Sequence, residues 1–400
     1  MKLLKNIENI FILFFIYLAA GLIIIISIII ICILYVIYLF NYNKINKINI
    51  EMIDLLYKII KKYGLQYEWL DIEGKQILIT ERKSNISGSI PLLFVHGTFS
   101  SSANFYELIS MIPPEYHCVC MDLPNFGISS NMNIEGKGIL KICKIYGDLI
   151  GKVIKKKGFQ KVNIVAHSLG SIFSIYTYKL YPNLFNEFLI LNPPGVYHTG
   201  GICGYYSGIF FKYIFPQDLL QINFLNKLQK AVLYYYDKHD ELTQFWILFC
   251  FNQKANGSNI LKKFIQFKNL HAYWTKAFLH EYFQIKCKTH VWYGSESYFD
   301  EKIQGELLNI IAPHISVKIF EKIGHNLYKS YDVFINELTK TINPTKLNNE
   351  VIECKLSKKK IKKIKKLATS GKYGKSYPSI RQTSSSVNHL IYKIKSIIGI

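Results

Sequence analysis

Ala166-His167-Ser168-Leu169-Gly170 sets a serine among small neighbours where an apolar run, Val162–Val165, gives way to a helical one, Ser171–Leu180. A serine at such a strand–turn–helix junction sits in a strained backbone conformation that lifts its hydroxyl clear of the sheet. The amide of the next residue then points at an oxyanion forming on the attacked group. Ala166 stands where glycine is commoner, and it is small enough to pass under the helix. A serine hydroxyl is a weak nucleophile at neutral pH, so it needs a base, a group that orients the base, and oxyanion donors.

Each of these is sought where a strand ends. His325, in Ile323-Gly324-His325-Asn326, follows the last predicted strand and is the expected general base. Gly294-Ser295-Glu296-Ser297-Tyr298-Phe299-Asp300 follows the strand before it and offers two carboxylates, Glu296 and Asp300. Either also suits a helix start, where a negative charge stabilises the first turn. The Leu169 amide is one expected oxyanion donor; Thr98, in the loop after His96-Gly97, is the other. Such chemistry calls for no metal and no organic cofactor.

Periodicity shows the elements that must position these groups. Ile90–His96, His117–Asp122, Lys161–Val165, Glu187–Leu191, Thr289–Tyr293 and Ser316–Phe320 read as strands, the first a continuous apolar run buried on both faces. Helical spacing runs over Ser102–Met111, Gly138–Lys157, Ser171–Leu180 and about Asp300–Ile311, and resumes after His325. Tyr67–Ile72 and Gln76–Thr80 read as a hairpin closed by Glu73-Gly74, and Glu51–Tyr63 as a linking helix. The alternation predicts an α/β fold, a mainly parallel sheet flanked by helices. It stops at Asn192-Pro193-Pro194-Gly195, and the aromatic-rich residues 196–286 are expected to form a helical insertion.

Composition narrows the partners. The net charge of +22 would suit nucleic acid, but Arg82 and Arg381 are the only arginines. Lysine, with abundant Ile, Asn and Tyr, reads as codon bias, whereas arginine is the side chain suited to bidentate phosphate or base contacts. Nucleic acid is therefore set aside. The eight cysteines contain no C-x-x-C pair, and Cys118 and Cys120 share one face of a predicted strand, so burial explains them better than zinc or a disulfide framework.

Residues 11–40 run for thirty positions without a charge, where about 20 suffice to span a bilayer. An uncleaved transmembrane anchor is expected there, after an N-terminal segment, 1–10. Lys44, Lys47, Lys58, Lys61 and Lys62 outnumber Lys2 and Lys5 in front of it, which places the following domain on the cytosolic side of an endomembrane such as the endoplasmic reticulum. The remaining boundaries read as a juxtamembrane helix at 41–64, a core in two parts at 65–195 and 287–342, and a basic, partly disordered tail at 343–400. Lys358–Lys366 is interrupted only by Ile361 and Ile364, and His389–Ile400 carries apolar residues at helical spacing. Both suit an anionic leaflet.

Phe94-Val95-His96-Gly97, Asp122-Leu123-Pro124-Asn125-Phe126-Gly127, the Ser168 pentapeptide and Gly324-His325 together resemble the α/β-hydrolase superfamily over roughly residues 65–342. Gly294-x-x-Ser297-x-x-Asp300 is similar to the branch of lysophospholipid and N-acyl-phospholipid lipases that also holds the lipid-droplet coactivator of triglyceride lipase. The resemblance implies Asp300 as the acid, a lid at 196–286, and hydrolysis of lipid acyl esters such as lysophospholipid or monoacylglycerol. Lipid acyltransfer is an alternative, although the branch's H-x-x-x-x-D string would need Asp at Ser330. A non-catalytic recruiting protein is another, although the coactivator type lacks the nucleophile that Ser168 supplies.

Overall fold

A computed structural model of the chain describes residues 54–348 except 99, 196–259, 261–262, 269–270, 275–277 and 297–300, together with 352 and 357–362. Helix α1 spans 54–62. Strands β1 (Gln66–Ile72) and β2 (Lys75–Arg82) form a hairpin, followed by β3 (Leu92–Val95). A 3-10 turn, Ser102–Phe105, leads into α2 (Tyr106–Met111), then β4 (Cys118–Met121), α3 (Ile139–Lys156), β5 (Val162–His167), α4 (Leu169–Leu180) and β6 (Phe185–Leu191). After the insertion's start come β7 (Ile265–Lys268), β8 (His271–Trp274), α5 (Leu279–Tyr282), β9 (Lys288–Gly294), α6 (Glu301–Ile311), β10 (Ser316–Phe320) and α7 (Tyr331–Thr341).

Eight of these strands form one sheet in the order β1-β2-β4-β3-β5-β6-β9-β10. The hairpin pairs antiparallel to itself and to β4, and from β4 to β10 every pairing is parallel. Glu73 and Gly74 both hold positive φ, 54° and 77°, as a two-residue hairpin turn requires. The chain lays β4 on one side of β3 and then β5 on the other. A crevice therefore opens between the carboxyl ends of β3 and β5, where sheets of this kind bind their ligands.

Alternate residues of the central strands feed opposite faces. Leu93, Val95, Ile164 and Ala166 join a core with α3, α4 and α6. Leu92, Phe94, Cys118, Cys120, Val165 and Leu191 join a second core with α1, α2 and α7. Cys118 and Cys120 are indeed buried free thiols. The apolar stripe of α3, Ile142, Tyr146, Leu149, Ile150, Val153 and Ile154, has the spacing of one helix face. Each such side chain contributes about 1.5–3 kcal/mol by leaving water. Gly147 lets α3 close on α4: a Cβ there would lie 2.7 Å from the Tyr176 carbonyl carbon.

Three expectations change. Ser102–Met111 opens as a 3-10 turn because Ser101 Oγ takes the Ala103 amide and the Asp122 carboxylate takes that of Ser102, leaving a tighter first turn. Strand β5 continues to His167, still paired with Leu191, so the turn shrinks to Ser168 alone and α4 begins at Leu169 rather than Ser171. The insertion is not wholly helical: β7 and β8 pair antiparallel, Lys268 opposite His271. Ile265-Gln266-Phe267-Lys268 alternates with period two, a strand signal that the aromatic content had masked. Gly195 O accepts the Phe278 amide at 2.7 Å, and Ile260, Phe264, Phe278 and Tyr282 are in the α3–α4 core. The rest of the expected lid, the 11–40 anchor and the tail beyond 362 lie outside the described residues. Among the described residues, no helix is long and apolar enough to cross a membrane.

Charge gathers at the amino ends of the parallel strands. Glu81, buried on β2, receives His117 Nε2 at 3.2 Å and Lys157 Nζ at 3.1 Å, and Lys157 also pairs with Glu68. The His117 contact foremost, and Lys157 with it, hold the Glu81 carboxyl at about 2, against an ordinary 4.5. A depressed carboxylate pKa adds stability above 4.5 that is lost as pH falls through the folded value. Glu81→Gln is expected to lower unfolding free energy by about 3 kcal/mol at pH 7. In urea titrations across pH, its difference from the parent should shrink below 4.5 and vanish near about 2.

Candidate active site

Ser168 occupies the single-residue turn between β5 and α4 with φ 51° and ψ −126°, outside the regions open to ordinary side chains. Its amide donates to Leu191 O at 2.9 Å, and its carbonyl accepts the Ser171 amide at 3.0 Å. Two glycines let the β3 loop close against it. A Cβ on Gly170 would stand 2.2 Å from the His96 carbonyl oxygen, and one on Gly97 would stand 2.7 Å from Ser168 Cβ. Leu169 opens α4, so its amide is among the first-turn donors that no carbonyl of the same helix can reach. Thr98 lies half-buried in the turn after β3.

His325 arrives from the loop after β10 and brings Nε2 to 3.1 Å from Ser168 Oγ, across 157 residues of sequence. The nucleophile–base pair expected from sequence is thus brought together. Asp300 lies outside the described residues. Glu296 follows β9, its amide donating to Ile323 O at 2.9 Å and its side chain exposed.

Buried polar groups that the motifs alone did not explain surround this pair. His96 Nδ1 faces Gly97 O at 2.8 Å, and its Nε2 receives the Leu123 amide at 3.0 Å. A carbonyl only accepts, so the proton is on Nδ1, and burial, which lowers the pKa, keeps the ring neutral. His96 therefore ties the β3 loop to the β4 loop. The Asp122 carboxylate takes the amides of Ser102 (2.6 Å) and Ile128 (3.1 Å). Gly127, at φ 54°, is required there because a Cβ would meet Asp122 Oδ2 at 2.0 Å.

His167 is buried, and its Nε2 faces the backbone carbonyl of His325 at 3.1 Å, so it too is a neutral donor. Burial first, and the neighbouring His325 next, push its pKa well down. The two imidazoles stack at a tilt, 4.8 Å between centroids, with Tyr328 edge-on to His167 at 4.9 Å. Asn192, fully buried at φ 44°, donates through Nδ2 to the same His325 carbonyl and to Gly324 O at 3.4 Å. Its Oδ1 accepts the Gly294 amide at 2.8 Å. The one sequence cue to Asn192 was a polar residue closing a buried strand ahead of two prolines. Among the described residues, no three His, Cys, Asp or Glu side chains converge to hold a metal ion. The arrangement can activate a hydroxyl by proton transfer to an imidazole.

A family profile described as "alpha/beta hydrolase fold" matches residues 90–330. Among curated proteins, a human "Serine hydrolase-like protein" is 23% identical over 104 residues, 26% of this chain and 50% of that protein. The chain thus spans about half the length, or less, of the curated relatives it matches. Carboxylesterase CesB from Bacillus subtilis superposes with a TM-score of 0.55 at 12% identity, covering 73% of this chain and 97% of its own. Naproxen esterase from the same bacterium gives 0.55 at 15% identity, covering 73% and 96%.

Replacing Gly170 with Ala forces a methyl into the His96 carbonyl. Gly170→Ala is expected to cost about 1–3 kcal/mol in thermal or urea unfolding, the range for overfilled cores. It should also slow phosphonylation of Ser168 by a fluorophosphonate, in which Oγ bonds to phosphorus as fluoride leaves, as read by gel fluorescence.

Proposed function

Because the chain belongs to the α/β-hydrolase fold family, we propose that it is a serine hydrolase acting on carboxylic esters of lipids. The observation that carries this reading is the His325 Nε2 to Ser168 Oγ contact of 3.1 Å. In the proposed cycle Ser168 Oγ attacks the ester carbonyl while His325 takes its proton. The Leu169 and Thr98 amides hold the oxyanion, and collapse of the tetrahedral intermediate releases the alcohol with the proton returned from His325. Water then enters, activated by the same imidazole, and frees the fatty acid. Asp300 is the proposed acid, orienting the imidazole and stabilising its charged form.

Lipid esters are favoured as substrates over soluble ones by three features of the sequence. These are the charge-free stretch 11–40, the aromatic-rich insertion opening at the carboxyl edge of the sheet, and the lysine run 358–366. Together they would hold the site at a cytosol-facing bilayer surface, where an acyl chain need not leave the membrane fully to reach Ser168.

A fluorophosphonate should label the full-length protein at one residue. Ser168→Ala should abolish labelling, and His325→Ala should slow it about 10²–10⁴-fold, the usual share of a general base. Robust labelling of Ser168→Ala protein would end the hydrolase reading. Residues 11–40 are expected to keep the protein in the membrane pellet after alkaline carbonate washing. Asn85 and Asn256, in acceptor strings usable only in the lumen, should remain unmodified; a glycosidase-sensitive mobility shift would reverse the orientation.

A further inference from the structure

We propose that Asn192 is a positioning residue for the general base, holding the His325 imidazole through His325's own backbone carbonyl, with His167 as the second donor to the same oxygen. The inference rests on the reading of Ser168 and His325 as nucleophile and base.

Three strand ends meet at this one side chain. Asn192 closes β6, and its amide continues the parallel ladder by donating to Trp292 O at 2.8 Å. Oδ1 fixes the start of the β9 loop through the Gly294 amide at 2.8 Å, and Nδ2 fixes the loop after β10 through Gly324 O and His325 O. The two loops are stitched directly as well: Ser295 N to Phe320 O and Glu296 N to Ile323 O, both at 2.9 Å, and Lys322 N to Ser295 Oγ at 2.9 Å. Gly294 admits no Cβ, since one would lie 2.3 Å from Ile323 O. Relative to the sheet, the height of His325 is therefore set by a carbonyl that accepts from two side chains on two neighbouring strands. The amide of Asn192 is matched to this task because it presents one acceptor and one donor in fixed geometry, to an N–H on one loop and a C=O on the other. Its left-handed backbone suits asparagine better than any other side chain with that pair of groups.

His167 completes the clamp from the residue before the nucleophile. Donor and nucleophile are consecutive, so a shift of Ser168 carries the His325 carbonyl with it. The Oγ–Nε2 distance is thereby buffered against motion of the turn.

The test uses the full-length protein in detergent and reads the second-order rate of fluorophosphonate labelling against pH. Asn192→Asp keeps the size, the left-handed backbone and the acceptor for Gly294, but faces the His325 carbonyl with an acceptor. It is expected to fold, to label about 100-fold more slowly, the scale of an ångström misplacement, and to shift the pH midpoint of labelling upward as a new negative charge favours the imidazolium. Asn192→Gly, uncharged and at ease at positive φ, should show the same loss of rate without the upward shift. Asn186→Ala is the comparison for a purely structural role. Asn186 is also buried on β6, but at its far end, bonded to Asn163 Oδ1 at 2.8 Å, and its loss should lower stability while leaving rate and midpoint unchanged. Should Asn192→Asp fail to fold, His167→Gln, which retains a side-chain N–H, is expected to label within a few-fold of the parent and His167→Leu to fall well below it. Parent-like rates and midpoints in folded Asn192→Asp and Asn192→Gly, or equal rates in the two His167 variants, would overturn the clamp while leaving the hydrolase intact. Absence of labelling in the parent itself would instead remove the reading of Ser168 and His325, and the clamp with it.

Discussion

The conformation of Ser168 is the constraint on which the rest of the structure depends. At φ 51° and ψ −126° a serine is strained by an amount on the order of 1–3 kcal/mol, and it stays there only because its surroundings allow no alternative. Those surroundings are specific. Ser168 donates to Leu191 O, Gly170 lies against the His96 carbonyl, and Gly97 lies against the serine's own Cβ. Relaxing the turn would drive the β3 loop away and break the ladder at the end of β5. The strain is therefore carried by the whole centre of the sheet, where β3 and β5 are buried on both faces.

Secondary structure was legible because burial on two faces, or on one helical stripe, leaves a local signature in the chain. Strands β3 to β6 and the stripe of α3 show it, and Glu73-Gly74 shows the hairpin by its turn chemistry. The turn at Ser168 was legible for a related reason: it demands small neighbours within two residues of the serine. His325, the partner of Ser168 Oγ, was legible only by place, as a histidine after the last strand. Asn192 and His167 left no comparable mark as donors. Their partners lie 133 and 158 residues away, and a contact at that separation imposes no spacing on the sequence around either end. The same holds for His96, whose motif was visible but whose work, holding Leu123 across the crevice, was not. The ribbon of β7 and β8 was missed for the opposite reason, since a real period-two signal was outweighed by composition read over ninety residues.

The distribution of charge follows a rule that the site explains. At the amino ends of the parallel strands, buried carboxyl groups meet basic side chains: Glu81 with His117 and Lys157, and Glu187 with Lys288 at 3.1 Å. At the carboxyl ends, by contrast, the two donors to the His325 carbonyl carry no charge: an asparagine, and a histidine whose pKa burial pushes well down, as burial also lowers that of His96. Asp122 is buried there too, its two oxygens taken by backbone amides of the adjoining loops, and Lys329 Nζ is buried close enough to depress His167 further.

That asymmetry has an electrostatic consequence. A full charge a few ångströms from an imidazole in a medium of low dielectric shifts its affinity for protons strongly. A general base must gain and lose a proton within each turnover, so its neighbours should fix its place without fixing its charge. Hydrogen bonds from Asn192 and His167 to a backbone carbonyl suit this: they set the position of the residue while leaving Nε2 to Ser168. A lysine or arginine in either place would hold the carbonyl equally well, yet it would depress the basicity on which the proposed attack by Ser168 depends. Neutral donors at this edge and ion pairs at the other are one solution to two demands, a stable sheet and a base free to titrate.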